Sequence, residues 1–382
     1  MEEWKEYKLG EITNMKNGKK RPQNNGVFPV YGGNGIMDYS DSYNAENAII
    51  VGRVGAYCGC VYKCESKCWV SDNAISIFAK DIADTQFLYY LMTTLDFHHH
   101  HIGGAQPLMT QDIIGDFTVS IPPLAIQHQI IQILKSLDDK IEVNKRINDN
   151  LEQQAQALFK SWFVDFEPFK DGEFVNSEFG MIPKGWRTGV LSDIIEILSG
   201  FAFKSNTFEF EGKYKLVTIK AVQDGYLELN EADGINDVPV KVPRHCFLKK
   251  KDILLSLTGN VGRCCLVNSD NLLLNQRVAK IEPKKIADWA YTYILFRLSD
   301  TKTYLETISR GTAQANLSPI ETANMPILIP TREVMDAFSV CATPLVNYSM
   351  VLTIEAEKLA QQRDTLLPKL MSGELKINDL TR

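Results

Sequence analysis

The sequence predicts an α+β fold: two similar globular mixed α/β domains joined by two long antiparallel coiled-coil helices, with pseudo-two-fold internal symmetry. Three observations predict it. Landmark residues of the first third return in the second half at near-constant offsets. Each copy closes on an Ile-Pro pair followed by a helical pattern close to 40 residues long. A glycine-and-amide loop, HIGGAQPLMT at 101–110 and SRGTAQANLS at 309–318, precedes that pair both times.

The repeat governs everything else, because a missed repeat misassigns the whole fold. Trp4, Leu9, Ile12 and Gly18 recur as Trp186, Leu191, Ile194 and Gly200 at an offset of 182. Gly52, Val54 and Gly55 match Gly259, Val261 and Gly262 at 207. Gly103, Ala105 and Gln106 match Gly311, Ala313 and Gln314 at 208, as Ile121-Pro122 matches Ile329-Pro330. The second copy therefore gains about 25 residues between its first two landmarks.

Within each copy the elements follow from local pattern. NAIIVGRVGAYCGCVY (47–62) and DILLSLTGNVGRCCLV (252–267) read as two strands around a Gly-containing turn, since short apolar runs bounded by glycine suit buried strands. DTQFLYYLMTTL (84–95) and DWAYTYILFRLS (288–299) read as helices, each leading into the repeated loop.

After each Ile-Pro comes the long helix, with proline near its start where its missing N–H costs little. Ile126, Ile130, Ile133, Leu137, Ile141, Asn144, Asn148, Leu151, Ala155, Leu158 and Trp162 follow steps of three and four. Val334, Phe338, Cys341, Leu345, Leu352, Leu359 and Leu366 continue that seam in the second copy. Ordinary helices average about 11 or 12 residues; one of about 40 spans about 60 Å. Pro344 falls inside the second pattern and is expected to kink or restart it. The division is therefore 1–122, domain; 123–165, helix; 166–330, second domain with its leading segment; 331–382, second helix and tail. Helices packed on each other take the chain out and back, placing unlike copies at opposite ends.

Composition sets the class. Of 382 residues, 45% are hydrophobic and 23% charged, the balance of a folded domain. No uninterrupted apolar run reaches the roughly 20 residues of a membrane span, and MEEWKEYKLGEI lacks a signal pattern. The expected location is cytoplasmic, with eight free cysteine thiols. Net charge is −6, and no segment is basic overall: residues 1–122 carry 10 Lys+Arg against 14 Asp+Glu. A nucleic-acid surface must then be a local patch, such as Lys16, Lys19, Lys20 and Arg21.

The repeated loop suits such a surface. Glycine lets backbone approach a duplex and frees amides for phosphate, while Gln and Asn pair with adenine and Arg with guanine. Arg310, Thr312, Gln314, Asn316 and Ser318 carry that repertoire, and the first copy offers Gln106 and Thr110 beside the His98–His101 run. A mere connector has no reason to keep Gly-x-Ala-Gln in two diverged copies.

Catalytic motifs are missing. There is no G-x-x-x-x-G-K-[ST] phosphate cradle, no amino-methyltransferase N-P-P-[YF] or D-P-P-[YF] run, and no nuclease Pro-Asp preceding a Glu-x-Lys. Cys58, Cys60, Cys64 and Cys68 lack the paired C-x2-C knuckles of most structural zinc sites, so buried thiols are expected and no metal.

ALFKSWFVDFEPF (157–169), QQRDTLLPKLMSGEL (361–375) and PLAIQHQIIQILKSLDDKIEVNKRI (123–147) resemble the conserved regions of specificity subunits of Type I restriction-modification systems. PKGW (183–186), TGNVGR (258–263) and LLNQRVAKI (273–281) resemble parts of that family's target recognition domains, and the similarity spans essentially the whole chain. The resemblance implies a subunit without catalytic activity or bound cofactor, each domain reading one half of an asymmetric bipartite target in double-stranded DNA. It implies that the helical rod sets the spacer and docks two methyltransferase subunits, which hold S-adenosylmethionine. Restriction subunits using ATP and Mg join them, and no membrane is involved. On this basis Gly103, Gly104, Gln106 and Thr110, with Arg310, Gly311, Thr312, Gln314, Asn316 and Ser318, form the base-reading loops. Lys19, Lys20, Arg21, Arg53, Lys204, Arg263 and Arg277 are expected on phosphate or base; Tyr57 and Phe201 are wedges or core. The His98–His101 run has no second-copy counterpart, a departure from the repeat. Three alternatives remain open: a Type II-like system of the same architecture, a self-contained modification enzyme, and a coiled-coil scaffold that does not bind DNA.

Overall fold

The computed structural model describes residues 4–103, 106–309 and 315–377. The chain forms two compact units, Met1–Glu142 with Glu357–Arg382, and Val143–Ala356. Four of its helices matter here: α1 (Thr85–Thr93), α2 (Leu124–Phe163), α3 (Trp289–Arg297) and α4 (Arg332–Met371). α2 and α4 are 40 residues each, as the two seams predict. Neither Pro344 nor Pro368 ends α4.

The first unit is built on six strands: β1 (Thr13–Asn17), β2 (Phe28–Gly32), β3 (Gly35–Ser40), β4 (Ala45–Gly52), β5 (Val61–Val70) and β6 (Ala74–Ala79). They lie in the order β1-β6-β4-β5-β2-β3, antiparallel except where Val30 and Tyr31 of β2 run parallel to Trp69 and Val70 of β5. Central β4 buries Ala48 to Val51 without alternation, as a strand covered on both faces must. Lys5–Lys8 pairs with Thr118–Ile121 and closes the domain on itself. Asp84 caps α1, its carboxylate accepting from the Gln86 and Phe87 amides at 2.7 and 3.3 Å. Beneath lies a core of Leu9, Ile49, Phe87, Leu88 and Met92, joined by Ile130 and Leu134 of α2 and Leu370 of α4.

Two polar fastenings hold this domain to its helix. The buried Gln127 side chain donates to the Ile82 and Pro122 carbonyls at 3.0 and 2.8 Å and accepts from the Asp84 amide at 2.8 Å. Tyr90 of α1 donates to Asp138 of α2 at 2.5 Å, and Arg363 of α4 donates to the other oxygen of that carboxylate at 2.8 Å.

The second unit repeats the plan with a divided sheet. Its strands are β7 (Ile195–Ser199), β8 (Tyr214–Val217), β9 (Gly234–Ile235), β10 (Phe247–Leu248), β11 (Ile253–Ser256), β12 (Cys264–Leu266), β13 (Leu272–Leu274) and β14 (Val278–Pro283). They form two four-stranded sheets, β7-β14-β11-β12 and β9-β8-β13-β10. The single long β5 of the first unit corresponds to β12 plus β13, and the parallel β2–β5 pairing returns as β8–β13. Arg187–Val190 pairs with Pro326–Ile329, the counterpart of the closing ladder above. An aromatic cluster unites Phe159 and Phe163 of α2, Tyr291 of α3, and Phe338 of α4, with Phe163 and Phe338 centroids 4.7 Å apart. Arg332 at the start of α4 pairs with the buried Asp288 before α3 at 2.6 Å.

Within this unit α2 and α4 run antiparallel: Asn144 donates to Glu355 at 2.8 Å and Asn148 to Thr353 at 3.0 Å, while the later Phe163 meets the earlier Phe338. Ile130, Ile141, Leu151, Phe338 and Leu352 are buried as the seam predicts. Elsewhere the seam needs correction. Gln127, Leu134, Phe159 and Phe163 are buried, whereas Ile126, Ile133, Leu158 and Trp162 are half-buried; Leu137, Leu345, Leu359 and Leu366 are also half-buried. Cys341 is exposed, and Ala342 takes its place. A helix of 3.6 residues per turn drifts against a strict seven-residue repeat, and at each end the globular domain, not the partner helix, collects the drifting side chains. Among the described residues, α4 alone is long and apolar enough by composition to cross a membrane, a property that uninterrupted run length does not show. Its Thr353 and Glu355 are engaged by α2.

Candidate nucleic-acid interface

In the first unit, five segments converge through backbone hydrogen bonds. Gly18 N donates to Ala74 O at 3.0 Å and Lys19 N to Val70 O at 3.0 Å, which seats the Gly18–Arg21 turn beside Ser71–Asn73. Arg53 N donates to Asn73 O at 2.8 Å. The repeated loop then hooks on: Gly55 N donates to Pro107 O at 3.1 Å, and Met109 N to Arg53 O at 2.8 Å. The Gly32–Gly35 turn lies against the Ser71–Asn73 turn and the Arg53–Gly55 segment, since a Cβ on Gly33 would touch Asn73 O and Val54 O.

The second unit makes the same hook. Gly259 N donates to Ala315 O at 3.2 Å, Leu317 N to Leu257 O at 2.7 Å, and Leu257 N to Arg277 O at 3.0 Å. Gly55 and Gly259 both take left-handed backbone, φ 76° and 73°, which favours glycine. Structurally, then, Gly55 corresponds to Gly259, an offset of 204 and not the 207 that matched Gly-x-Val-Gly by letter. Arg53 is thereby equivalent to Leu257 and has no basic counterpart.

Gly18 and Gly200 recur because nothing larger fits. An ideal Cβ would lie 1.9 Å from Ser71 O in one unit and 2.2 Å from Asn275 O in the other. Both turns run parallel to the segment they touch, through the bridges Lys19–Ser71 and Phe201–Asn275.

The predicted residues divide accordingly. Lys19, Lys20, Tyr57 and Gln106 are exposed around the first hook, and Arg53 is half-buried there; Gly103 takes φ 87°. Arg21 is also exposed, but its guanidinium pairs with Asp38. Lys204, Arg277 and Asn316 are placed around the second hook, where all three are exposed, and Arg263 donates to Gln223. Phe201 is half-buried against the second core. Thr110 and Ser318 are helix caps: their hydroxyls accept from Ile113 N and Glu321 N at 3.2 and 3.3 Å, at the starts of the next short helices. Gly104, Arg310, Gly311, Thr312 and Gln314 lie outside the described residues. Sequence reading missed the Ser71–Asn73 turn and, of its equivalent Asn275–Arg277, singled out only Arg277.

The histidines are not gathered for a metal. His98 Nδ1 bonds the Cys58 carbonyl at 3.0 Å and His99 Nδ1 the Asp96 carboxylate at 2.7 Å, which holds that carboxyl below its usual range. Cys58, Cys64 and Cys68 are buried, and Cys60 is half-buried. Burial raises the Cys58 thiol. No three His, Cys, Asp or Glu side chains converge as a metal site among the described residues.

The family model described as the Type I restriction modification DNA specificity domain matches this chain twice, over residues 1–153 and 183–334. The chain belongs to that family. Its two matches coincide with the two hooked repeats, so this is a DNA-specificity subunit with two recognition domains, and not itself an enzyme. The Type I restriction enzyme MjaIX specificity subunit of Methanocaldococcus jannaschii is 30% identical over 80% of this chain and 72% of its own length. The HindI specificity subunit of Haemophilus influenzae is 25% identical over 71% of this chain and 72% of its own. Among solved structures, the S subunit of the Type I restriction-modification system of M. genitalium shares the fold, with a TM-score of 0.62, 16% identity, and coverage of 97% and 96% of the two chains.

Proposed function

We propose that this specificity subunit selects an asymmetric, two-part sequence in double-stranded DNA, with residues 1–122 reading one half and 166–330 the other. Residues 123–165 and 331–382 would fix the distance between them. The observation that carries the reading is the repeated hook: one backbone scaffold presents Lys19, Lys20, Arg53, Tyr57 and Gln106 in one unit, and Lys204, Arg263, Arg277 and Asn316 in the other. An identical frame with unlike side chains is what two half-sequences of one address require. Gly103, Gly104, Gly311, Arg310, Thr312 and Gln314 complete the loops in this proposal.

The reaction belongs to partners. Two methyltransferase subunits holding S-adenosylmethionine would dock on the helices, and restriction subunits with ATP and Mg would join them in the cytoplasm. Exposed Val340, Tyr348 and Val351 of α4 supply apolar surface for such a partner. The test is to map methylated adenines in cells carrying the full complex, then repeat with four residues inserted after Asn148. At 1.5 Å per residue the insertion adds about 6 Å, roughly two base pairs at about 3.4 Å each. The spacer should lengthen by one or two base pairs while both half-sequences stay fixed; an unchanged spacer refutes the ruler.

A further inference from the structure

A cleft of about 860 Å3 opens in the second unit beside the hook. It is lined by the turn Asn275–Arg277 and by Lys220, Glu228, Asn230, Glu231 and Asp233. Asn275 is 6% exposed, and among the described residues nothing hydrogen-bonds its side-chain amide. The unpaired amide is not sealed from solvent and opens on the cleft it lines, where a ligand can complete it. Of the lining residues Gln276, Arg277, Glu231 and Asp233 are exposed.

The acidic part of this lining belongs to the length that the second copy alone possesses. In the first unit, β2 and β3 are joined by a tight turn at Gly32–Gly35; in the second, the chain between β8 and β11 runs through DGYLELNEADGIND (224–237), with five carboxylates and no lysine or arginine. Carboxylates beside a DNA-binding hook are repelled by phosphate. Those lining the cleft can instead act as acceptors for base amines, as Asp and Glu accept from cytosine N4 and Asn pairs with adenine N6 and N7.

We propose that this cleft is the sequence-determining subsite of the second recognition domain. Asn230, Glu231 and Asp233 accept from the exocyclic amine of a cytosine or adenine in the major groove. Asn275, in the same lining, completes the amide pairing, while Arg277 and Lys220 hold the neighbouring phosphates. This assignment rests on the DNA-reading function proposed above.

The experiment uses the full chain with its methyltransferase subunits, mapping methylated adenines and measuring binding to matched and single-mismatch duplexes. Glu231→Gln and Asp233→Asn should relax one position of the second half-sequence and leave the first half and the spacer unchanged. Discrimination at that position should fall by about tenfold to a hundredfold, and the base lost identifies cytosine or adenine. Asn275→Ala should relax the same or the adjoining position, whereas Arg277→Ala should weaken all duplexes alike. Unchanged half-sequences, or carboxamide variants that bind every duplex more tightly by one common factor, would overturn the assignment and reduce the acidic lining to simple repulsion. Failure of the unaltered complex to methylate any bipartite sequence would instead overturn the underlying function.

Discussion

Arg297 Nε donates to Glu152 Oε1 at 3.0 Å, tying the end of α3 to the side of α2 within the second unit. The same guanidinium pairs with Asp224, at the head of the acidic stretch, and with the Cys264 carbonyl at 3.5 Å. Its side chain is 11% exposed; burial disfavours the charge, but Tyr293, Glu152 and Asp224 around it together outweigh that, so its pKa is raised. Removing one partner of a buried pair leaves the other charge uncompensated, a loss of about 3–5 kcal/mol. Arg297→Ala should therefore lower the stability of this unit by about 3 kcal/mol, read as a fall in urea midpoint. It should also leave the Asp224 carboxylate to Lys302, at 3.2 Å, and loosen reading of the second half-sequence. Full stability in the variant would show that the pair is only incidental.

Gln127 plays the matching part in the first unit with neutral groups. Its three bonds go to backbone at Ile82, Pro122 and Asp84, and the side chain is fully buried. Gln127→Leu keeps the volume but orphans two carbonyls and an amide, each worth about 1 kcal/mol or more when left unpaired inside. A loss of about 3 kcal/mol is expected, with hydrogen exchange quickening around Asp84 and the start of α2. Unchanged exchange there would contradict the fastening.

The two glycine contacts separate the halves of the target. A Cβ at Gly200 would overlap Asn275 O, and one at Gly18 would overlap Ser71 O. Relief requires backbone movement, so Gly200→Ala should displace the Asn275–Arg277 turn at a stability loss of about 1–3 kcal/mol. Binding should then lose discrimination in the second half-sequence only, and Gly18→Ala in the first only. Competition with duplexes altered in one half at a time checks both, and crossed effects would count against independent reading.

Most of the plan was legible because it is periodic. The strands flanking Gly52 and Ser256, both 40-residue helices and the return of the loop all follow from apolar period and glycine placement. The hook register was not legible, because matching glycines by letter ignores which of them occupy equivalent places in the hydrogen-bonded frame; Gly55 and Gly259 do. Thr110 and Ser318 look like base readers by residue type, yet Ser318-Pro319 with Glu321 is a helix start, with proline at the first position and an acid at the third. The seam drifts by one residue at Leu134 and Phe159 since burial there is decided by tertiary neighbours. Nothing local in the sequence marks Asn275 as facing a cleft, for that depends on a chain segment some 45 residues earlier.

The polar pairing of α2 and α4 gives the last prediction. Asn144 is fully buried, donates to Glu355, and leaves its own carbonyl oxygen without a partner, as does Asn148 after donating to Thr353. Leu151 and Leu352 of the same seam are buried. Polar residues at seam positions specify pairing at a cost in stability, and replacing a whole buried polar pair with apolar residues is often neutral or stabilising by about 1–4 kcal/mol, whereas removing one member is not. Asn144→Leu alone withdraws the donor from Glu355 and should destabilise the second unit by about 1–3 kcal/mol. The double variant Asn144→Leu/Glu355→Leu should recover that loss and raise the melting temperature above that of the unaltered chain. Calorimetry on the two variants and the parent supplies the comparison, with Glu355→Leu closing the double-mutant cycle. Additive losses in the cycle would mean that the two side chains are uncoupled and that Asn144 is held by something other than Glu355.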